Sequence, residues 1–120
     1  MTLQLSEIAL ENHRRFVERV AASGIVWGLK NAAGWAVCDS NGEQGGDVMP
    51  FWSDRAYAVR AAVDDWSDYE PTEIPIAVFI DRWLQGMTED EVLVGTNWDT
   101  SNRGFEIAAA ELAEELVHAQ

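Results

Sequence analysis

The chain has 120 residues, 48% of them hydrophobic and 24% charged, enough for one globular domain around a single core. Twenty-one acidic residues face eight basic ones, for a net charge of −13. A phosphate backbone or an anionic membrane surface would be repelled, so neither nucleic acid nor membrane is an expected partner. Cys38 is the only cysteine, which excludes an intramolecular disulfide. No stretch has the apolar length of a membrane span, and Met1 to Glu7 lack the basic and apolar regions of a secretory signal. These features together point to a cytoplasmic protein forming one domain over residues 1–120. The acidity would steer a basic partner towards the chain, although it also serves solubility by itself.

In chain order, Ser6 to Ser23 reads as a helix, with Ser6 as N-cap, Gly24 as C-cap and a stripe of Leu5, Ile8, Phe16 and Val20. A hairpin follows, Ile25 to Lys30 and Gly34 to Asp39, joined by Asn31-Ala32-Ala33. Alternation puts Ile25, Trp27 and Leu29 on one face with Trp35 and Val37, and the small residues Val26, Gly28, Ala36 and Cys38 on the other. Asn41 to Gly46 reads as a polar loop. Asp47 to Trp52 reads as a short strand that Pro50 confines to an edge or a strand end. Ser53 caps a helix running to Asp65. Ser67 to Pro75 reads as irregular and acidic. A helix over Pro75 to Leu84, with Ile76, Phe79, Ile80 and Trp83 as its stripe, ends at Gly86. Two strands, Glu91 to Asn97 and Gly104 to Ile107, flank a loop over Trp98 to Asn102, and Ala109 to Ala119 closes the chain as an amphipathic helix. The order α-β-β-β-α-α-β-β-α predicts an α+β fold: one mainly antiparallel sheet covered by helices, with no internal repeat and no low-complexity linker.

Trp27-Gly28-Leu29-Lys30, Gly34-Trp35-Ala36-Val37, Pro50-Phe51-Trp52-Ser53, Tyr69-Glu70-Pro71 and Val94-Gly95-Thr96-Asn97-Trp98-Asp99 resemble a bacterial family catalogued as domain of unknown function 2750. The resemblance spans Val26 to Leu116. It implies a small stand-alone bacterial protein and brings no activity, ligand or catalytic residue with it. A lesser likeness to SseB-like secretion-associated domains rests on Phe51-Trp52-Ser53-Asp54 leading into a helix and on the strand ending near Asn97. It departs from that pattern where Trp98 takes the place of a proline.

Two segments stand out as binding candidates. The loop Asn97 to Gly104 surrounds the Trp98 indole with amide, carboxylate, hydroxyl and guanidinium groups, chiefly Asn97, Asp99 and Arg103, a mixture suited to a small polar ligand or a peptide. The plainer alternative is a turn whose side chains cap their own backbone. The other segment, Asp65, Trp66, Asp68, Tyr69 and Glu70, alternates carboxylates with aromatic rings, suited to an Arg- or Lys-rich partner or a hard cation. Its plainer alternative is a solvated helix end with the rings turned inward.

Catalytic chemistry is harder to find. Cys38 needs a base to become a nucleophile, and the only histidines, His13 and His118, lie near the two ends of the chain. Ser53 with His13 and Asp54 or Asp99 imitates a hydrolase triad, but no G-x-S-x-G elbow is present. Zinc-ligand spacing, an EF-hand, a P-loop and a dinucleotide glycine pattern are all absent, so no metal and no cofactor is expected.

The expected function is therefore a non-enzymatic binding or regulatory module whose acidic-aromatic surface receives a basic protein or peptide. An immunity-type inhibitor covering a toxin's basic site is one version. A small-ligand sensor or enzyme with a polar pocket at the Trp98 loop is the first alternative, and a structural homodimer, signalled by an exposed tryptophan patch, is the second.

Overall fold

In the computed structural model of the chain, residues 5–40, 45–100 and 103–120 are described, with side chains from Glu7 onward. The first helix, α1 (Leu5–Ser23), buries His13, Phe16 and Val20 along one face. Its expected stripe is corrected at Ile8, which is exposed, while His13 takes a place in the core. Ser6 lies inside the first turn, and its proposed cap role falls outside the described side chains. Gly24 closes the helix at φ 77°, a conformation costly for any residue with a Cβ, and its N–H donates to the Val20 carbonyl at 2.8 Å.

The sheet is divided in two. β1 (Ile25–Asn31) lies between β2 (Gly34–Trp35) and β5 (Glu70–Pro75) in an antiparallel sheet of order β2-β1-β5. The second sheet has the order β3-β4-β6-β7, from β3 (Cys38–Asp39), β4 (Asp47–Phe51), β6 (Leu93–Thr96) and β7 (Phe105–Ala108). Within it β4 and β6 run parallel and the other pairs antiparallel. One antiparallel bridge links the sheets, with reciprocal Trp27 and Trp52 backbone hydrogen bonds of 2.8 and 2.7 Å.

The α+β class holds, and the departures from the expected arrangement have local causes. The expected hairpin survives only at Lys30↔Trp35 and Asn31↔Gly34, because the chain then leaves for the second sheet as β3. The Asn31 carboxamide stabilises that turn by accepting the N–H groups of Ala33 and Gly34. Opposite Lys30, Trp35 shares the face of Gly28 rather than that of Trp27, since a one-residue change of register exchanges the faces. The Trp35 ring lies over Gly28 so closely that a Cβ there would meet it at 2.9 Å.

The segment read as irregular contains β5, the main partner of β1. Pro71 and Pro75 are tolerated because β5 is an edge strand. β4, by contrast, is interior. Pro50 falls between the β3 pairing and the Trp52 bridge, where no neighbouring strand needs an N–H.

The helices also shift. Asp54, not Ser53, occupies the N-cap position of α2 (Arg55–Ala61), and a 3-10 turn, Asp64–Trp66, follows that helix. From Ile76 the chain is helical through α3 (Ile76–Val78), a π turn (Phe79–Trp83) and α4 (Leu84–Glu89). Gly86 therefore lies inside the helical stretch, which burial of Met87 carries onward. α5 (Ala109–Ala119) ends the chain, with Leu112 and Leu116 fully buried.

Two apolar clusters result. One gathers Phe16, Val20, Val26, Phe51, Phe79, Leu84, Leu112 and Leu116 beneath the long helices. Phe51 meets Phe79 and Trp83 edge-on at 4.9 and 5.7 Å between ring centroids. The other cluster gathers Leu29, Val48, Trp52, Ala58, Trp66 and Trp98 under α2. None of the six tryptophans is exposed, so the patch that a tryptophan-mediated dimer would present is not found. No helix of the described residues is long and apolar enough to cross a membrane.

Trp98 depends on two glycines: a Cβ on Gly95 or on Gly104 would overlap its indole. Gly95→Ala is expected to destabilise the fold by about 1–3 kcal/mol, the usual cost of overpacking, as a lower denaturant midpoint at unchanged slope.

Candidate functional site

The parallel strands β4 and β6 end side by side, and both chains then turn towards the same place. β4 leads through Trp52 and Ser53 into α2, and β6 leads into Asn97, Trp98 and Asp99. Asn97 continues the pairing by donating its N–H to the Phe51 carbonyl at 2.9 Å, then turns the chain at φ 49°. That left-handed backbone is uncommon for a side-chain-bearing residue, and asparagine is among those that tolerate it.

Asn97 is 6% exposed, and both the oxygen and the nitrogen of its carboxamide are hydrogen-bonded. Its Oδ1 accepts the Ser53 N–H at 2.8 Å, and its Nδ2 donates to the Ser53 hydroxyl at 3.1 Å and to the Asn12 carbonyl of α1 at 3.2 Å. The Ser53 hydroxyl in turn donates to Asp54 Oδ1 at 2.7 Å. Asp54 receives the Arg19 guanidinium on both oxygens, at 2.7 and 2.5 Å. The Arg19 hydrogen bond is the main reason that the Asp54 carboxyl titrates below the usual aspartate range. A line of polar contacts thus joins α1, the start of α2 and the loop after β6.

Trp98 is held from both ends. Its indole N–H donates to the Phe105 carbonyl at 3.0 Å, and its own carbonyl accepts the Trp52 indole N–H at 3.0 Å. Asp99 closes the loop by accepting the Arg103 N–H at 3.1 Å. Ser101 and Asn102 lie outside the described residues.

Between this loop, α1 and α2 lies a cleft of about 360 Å³, lined by Asn12, Arg15, Tyr57, Arg60 and the segment Asn97 to Thr100. Arg15 donates to the Asn12 side chain at 3.1 Å, and the Arg60 guanidinium lies 5.0 Å from the Tyr57 ring centre. Asn97, Trp98 and Asp99 are brought together here. Arg103 lines no part of the cleft and meets Asp99 through its backbone. Sequence reasoning did not find Asn12, Arg15, Tyr57 and Arg60. The available signal was charge distribution: α1 and α2 together carry five of the eight basic residues and only three of the twenty-one acidic ones.

A wider groove of about 1160 Å³ runs along the start of α1, β7 and the end of α4. Its lining holds Glu7, Glu91 and Glu106, no basic residue and many small side chains. The smaller cleft has the convergent polar groups that a ligand site requires.

The acidic-aromatic segment is divided by its fold. Trp66 is buried and meets Trp52 and Tyr69 edge-on, each at 6.4 Å, so its ring is not offered to a cationic partner. Asp65, Asp68 and Glu70 face outward, and Asp68 accepts the Asn31 side-chain N–H at 3.2 Å. Among the described residues no group of three His, Cys, Asp or Glu side chains is placed to hold a metal.

His13 does not meet Ser53. Its Nε2 lies 2.6 Å from Glu115 Oε1 and its Nδ1 2.9 Å from the Thr96 hydroxyl. With Nε2–H donating to the carboxylate, Nδ1 accepts the hydroxyl proton. The linkage has the connectivity of a catalytic relay, but Thr96 is wholly buried, so it braces α1 and α5 against β6. Cys38 is half-buried, and desolvation, followed by the charge of Glu106, pushes its thiol upward, away from nucleophilic character.

The family model described as "Protein of unknown function (DUF2750)" matches residues 13–116. No curated protein and no solved structure matches the chain.

The Arg19–Asp54 pair sets a pH dependence. A carboxyl depressed in the folded state adds stability above its unfolded titration range, and that stability is lost as the pH falls through its folded value. Arg19→Gln is expected to lower the melting temperature slightly at pH 7, since the Arg19 side chain is exposed to solvent. The difference from wild type should vanish in acid, below the ordinary aspartate range, as thermal melts across pH would read directly.

Proposed function

We propose, from the premise that this chain belongs to the DUF2750 family of proteins of unknown function, that it is a small-ligand-binding module whose site is the cleft beside the Trp98 loop. The observation that carries this reading is the cleft's position and construction. It opens beyond the carboxyl ends of two adjacent parallel strands, where open α/β sheets commonly bind ligands. Its volume lies in the range of small-molecule sites. Its floor is pre-formed: Asn97 and Trp98 are buried and fully hydrogen-bonded, so no ordering of the floor is needed when a ligand enters.

Binding is favoured over catalysis because, among the described residues, no accessible nucleophile is paired with a base. Ser53, whose hydroxyl donates to Asp54, is buried, and Thr96 is out of reach of any substrate. Asn97 at φ 49° supports the same reading, since unfavourable backbone persists where the surroundings enforce it, often at ligand sites.

A second reading rests on charge. Eighteen of the twenty-one acidic residues lie outside α1 and α2, and Asp65, Asp68 and Glu70 form an outward-facing part of them. Such a surface suits a basic protein or peptide, the immunity-type arrangement included.

Each reading has its own test. Amide NMR shifts recorded against a fragment set of mixed charge should concentrate at Asn12, Tyr57 and Asn97 to Thr100. Tyr57→Ala should weaken the best fragment about tenfold while the rest of the spectrum holds, and shifts that avoid the cleft altogether would refute the ligand reading. For the acidic surface, an oligolysine peptide should bind with a steep salt dependence and lose about tenfold affinity to the variant Asp65→Lys, Asp68→Lys, Glu70→Lys. Equal binding by that variant would remove the second reading.

A further inference from the structure

We infer that the cleft takes its ligand by an oxyanion, a carboxylate or a phosphate, held between the guanidinium groups of Arg15 and Arg60. This rests on the ligand reading above and adds the chemical class.

In a chain with an excess of acids, an arginine without a carboxylate partner is the exception to explain. Arg19 follows the expectation by pairing with Asp54 on both oxygens. Arg15 and Arg60 do not: among the described residues neither has a salt bridge, the groups that hold them are neutral, and the one carboxylate whose charge Arg15 also feels, Asp54, is already paired with Arg19 on both oxygens. Asn12 holds Arg15 through one guanidinium N–H, and the Tyr57 ring holds Arg60 by its π face. Both partners orient the guanidinium without neutralising it and leave most of its N–H donors unused. The two side chains come from different helices and line one cavity of about 360 Å³. Two like charges facing one concavity repel each other unless an anion is shared between them, and a planar guanidinium fork matches the geometry of carboxylate and phosphate oxygens.

The electrostatic surroundings agree. The lining holds two arginines against one carboxylate in a chain of net charge −13, so the cleft is locally positive within an otherwise negative molecule. Asp99 is the one acidic residue in the lining, and one of its oxygens already accepts the Arg103 N–H. The surrounding negative field opposes anions elsewhere on the surface and leaves this cleft as the place where one is favoured.

The test uses the full chain, labelled with ¹⁵N, at low and fixed ionic strength. Three probes are titrated separately: inorganic phosphate, citrate as a polycarboxylate, and glycerol as a neutral control. The expected result is saturable movement of the Arg15 and Arg60 side-chain Nε–H signals and of the Thr100 amide with phosphate or citrate, none with glycerol, and weakening as chloride is added. Whichever anion binds more tightly identifies the source of the oxyanion. Arg15→Gln and Arg60→Gln should each weaken binding about tenfold with unchanged melting temperature, while Arg60→Lys should recover only part of the loss, because the point charge remains and the fork does not. Wild-type affinity in both glutamine variants, or glycerol binding as well as the anions, overturns the oxyanion assignment and leaves the ligand reading standing. If neither these probes nor the mixed-charge fragments move the cleft signals, both fall together.

Discussion

The side chain of Asn97 is the constraint on which the site depends. One buried carboxamide satisfies the backbone N–H of Ser53, the hydroxyl of the same residue and a carbonyl of α1. Without the Asn97 side chain the backbone N–H of Ser53 would be buried with no partner, and an unsatisfied polar group costs more than a made hydrogen bond gains. The same residue turns the chain at a positive φ so that Trp98 and Asp99 follow in the direction of α1 and α2. A hydrophobic residue at this position would relinquish all three contacts and would resist the backbone conformation as well.

Around that anchor the packing is built on pairs of tryptophan and glycine. Trp35 lies over Gly28, and Trp98 occupies the space left by Gly95 and Gly104. An indole placed on bare backbone buries a large apolar area while its N–H still reaches a carbonyl, as Trp52 and Trp98 both do. Three of the six tryptophans are thus buried and the other three half-buried, so they serve mainly the interior. What remains for recognition is polar: two arginines, a tyrosine and an asparagine on helices that face a rigid loop.

This division gives the molecule two electrostatic characters. The carboxylates are spread over the strands, the 3-10 turn and α5, while α1 and α2 concentrate the bases. Arg19 and Asp54 neutralise one another at the junction and tie the two helices together. The net charge describes the whole surface and hides the cleft, because a sum over residues carries no information on where they sit.

The sequence by itself determined the elements whose causes are local. The α+β class, the cap at Gly24, the turn at Asn31 and the two-sided character of α5 all follow from periodicity and side-chain chemistry within a few residues. The mixture of groups around Trp98 was legible in the same way. Tertiary structure decided everything set by distant pairing: the union of β1 with β5 across two prolines, the parallel course of β4 and β6, the face that Trp35 takes, and the inward turn of Trp66. Strand partners and helix faces are chosen by the burial that the whole chain achieves, and a contact across 83 residues, such as that of His13 with Thr96, leaves no trace in local pattern. The cleft belongs to that second class, because Arg15 and Arg60 become neighbours of Asn97 only once β4 and β6 end side by side.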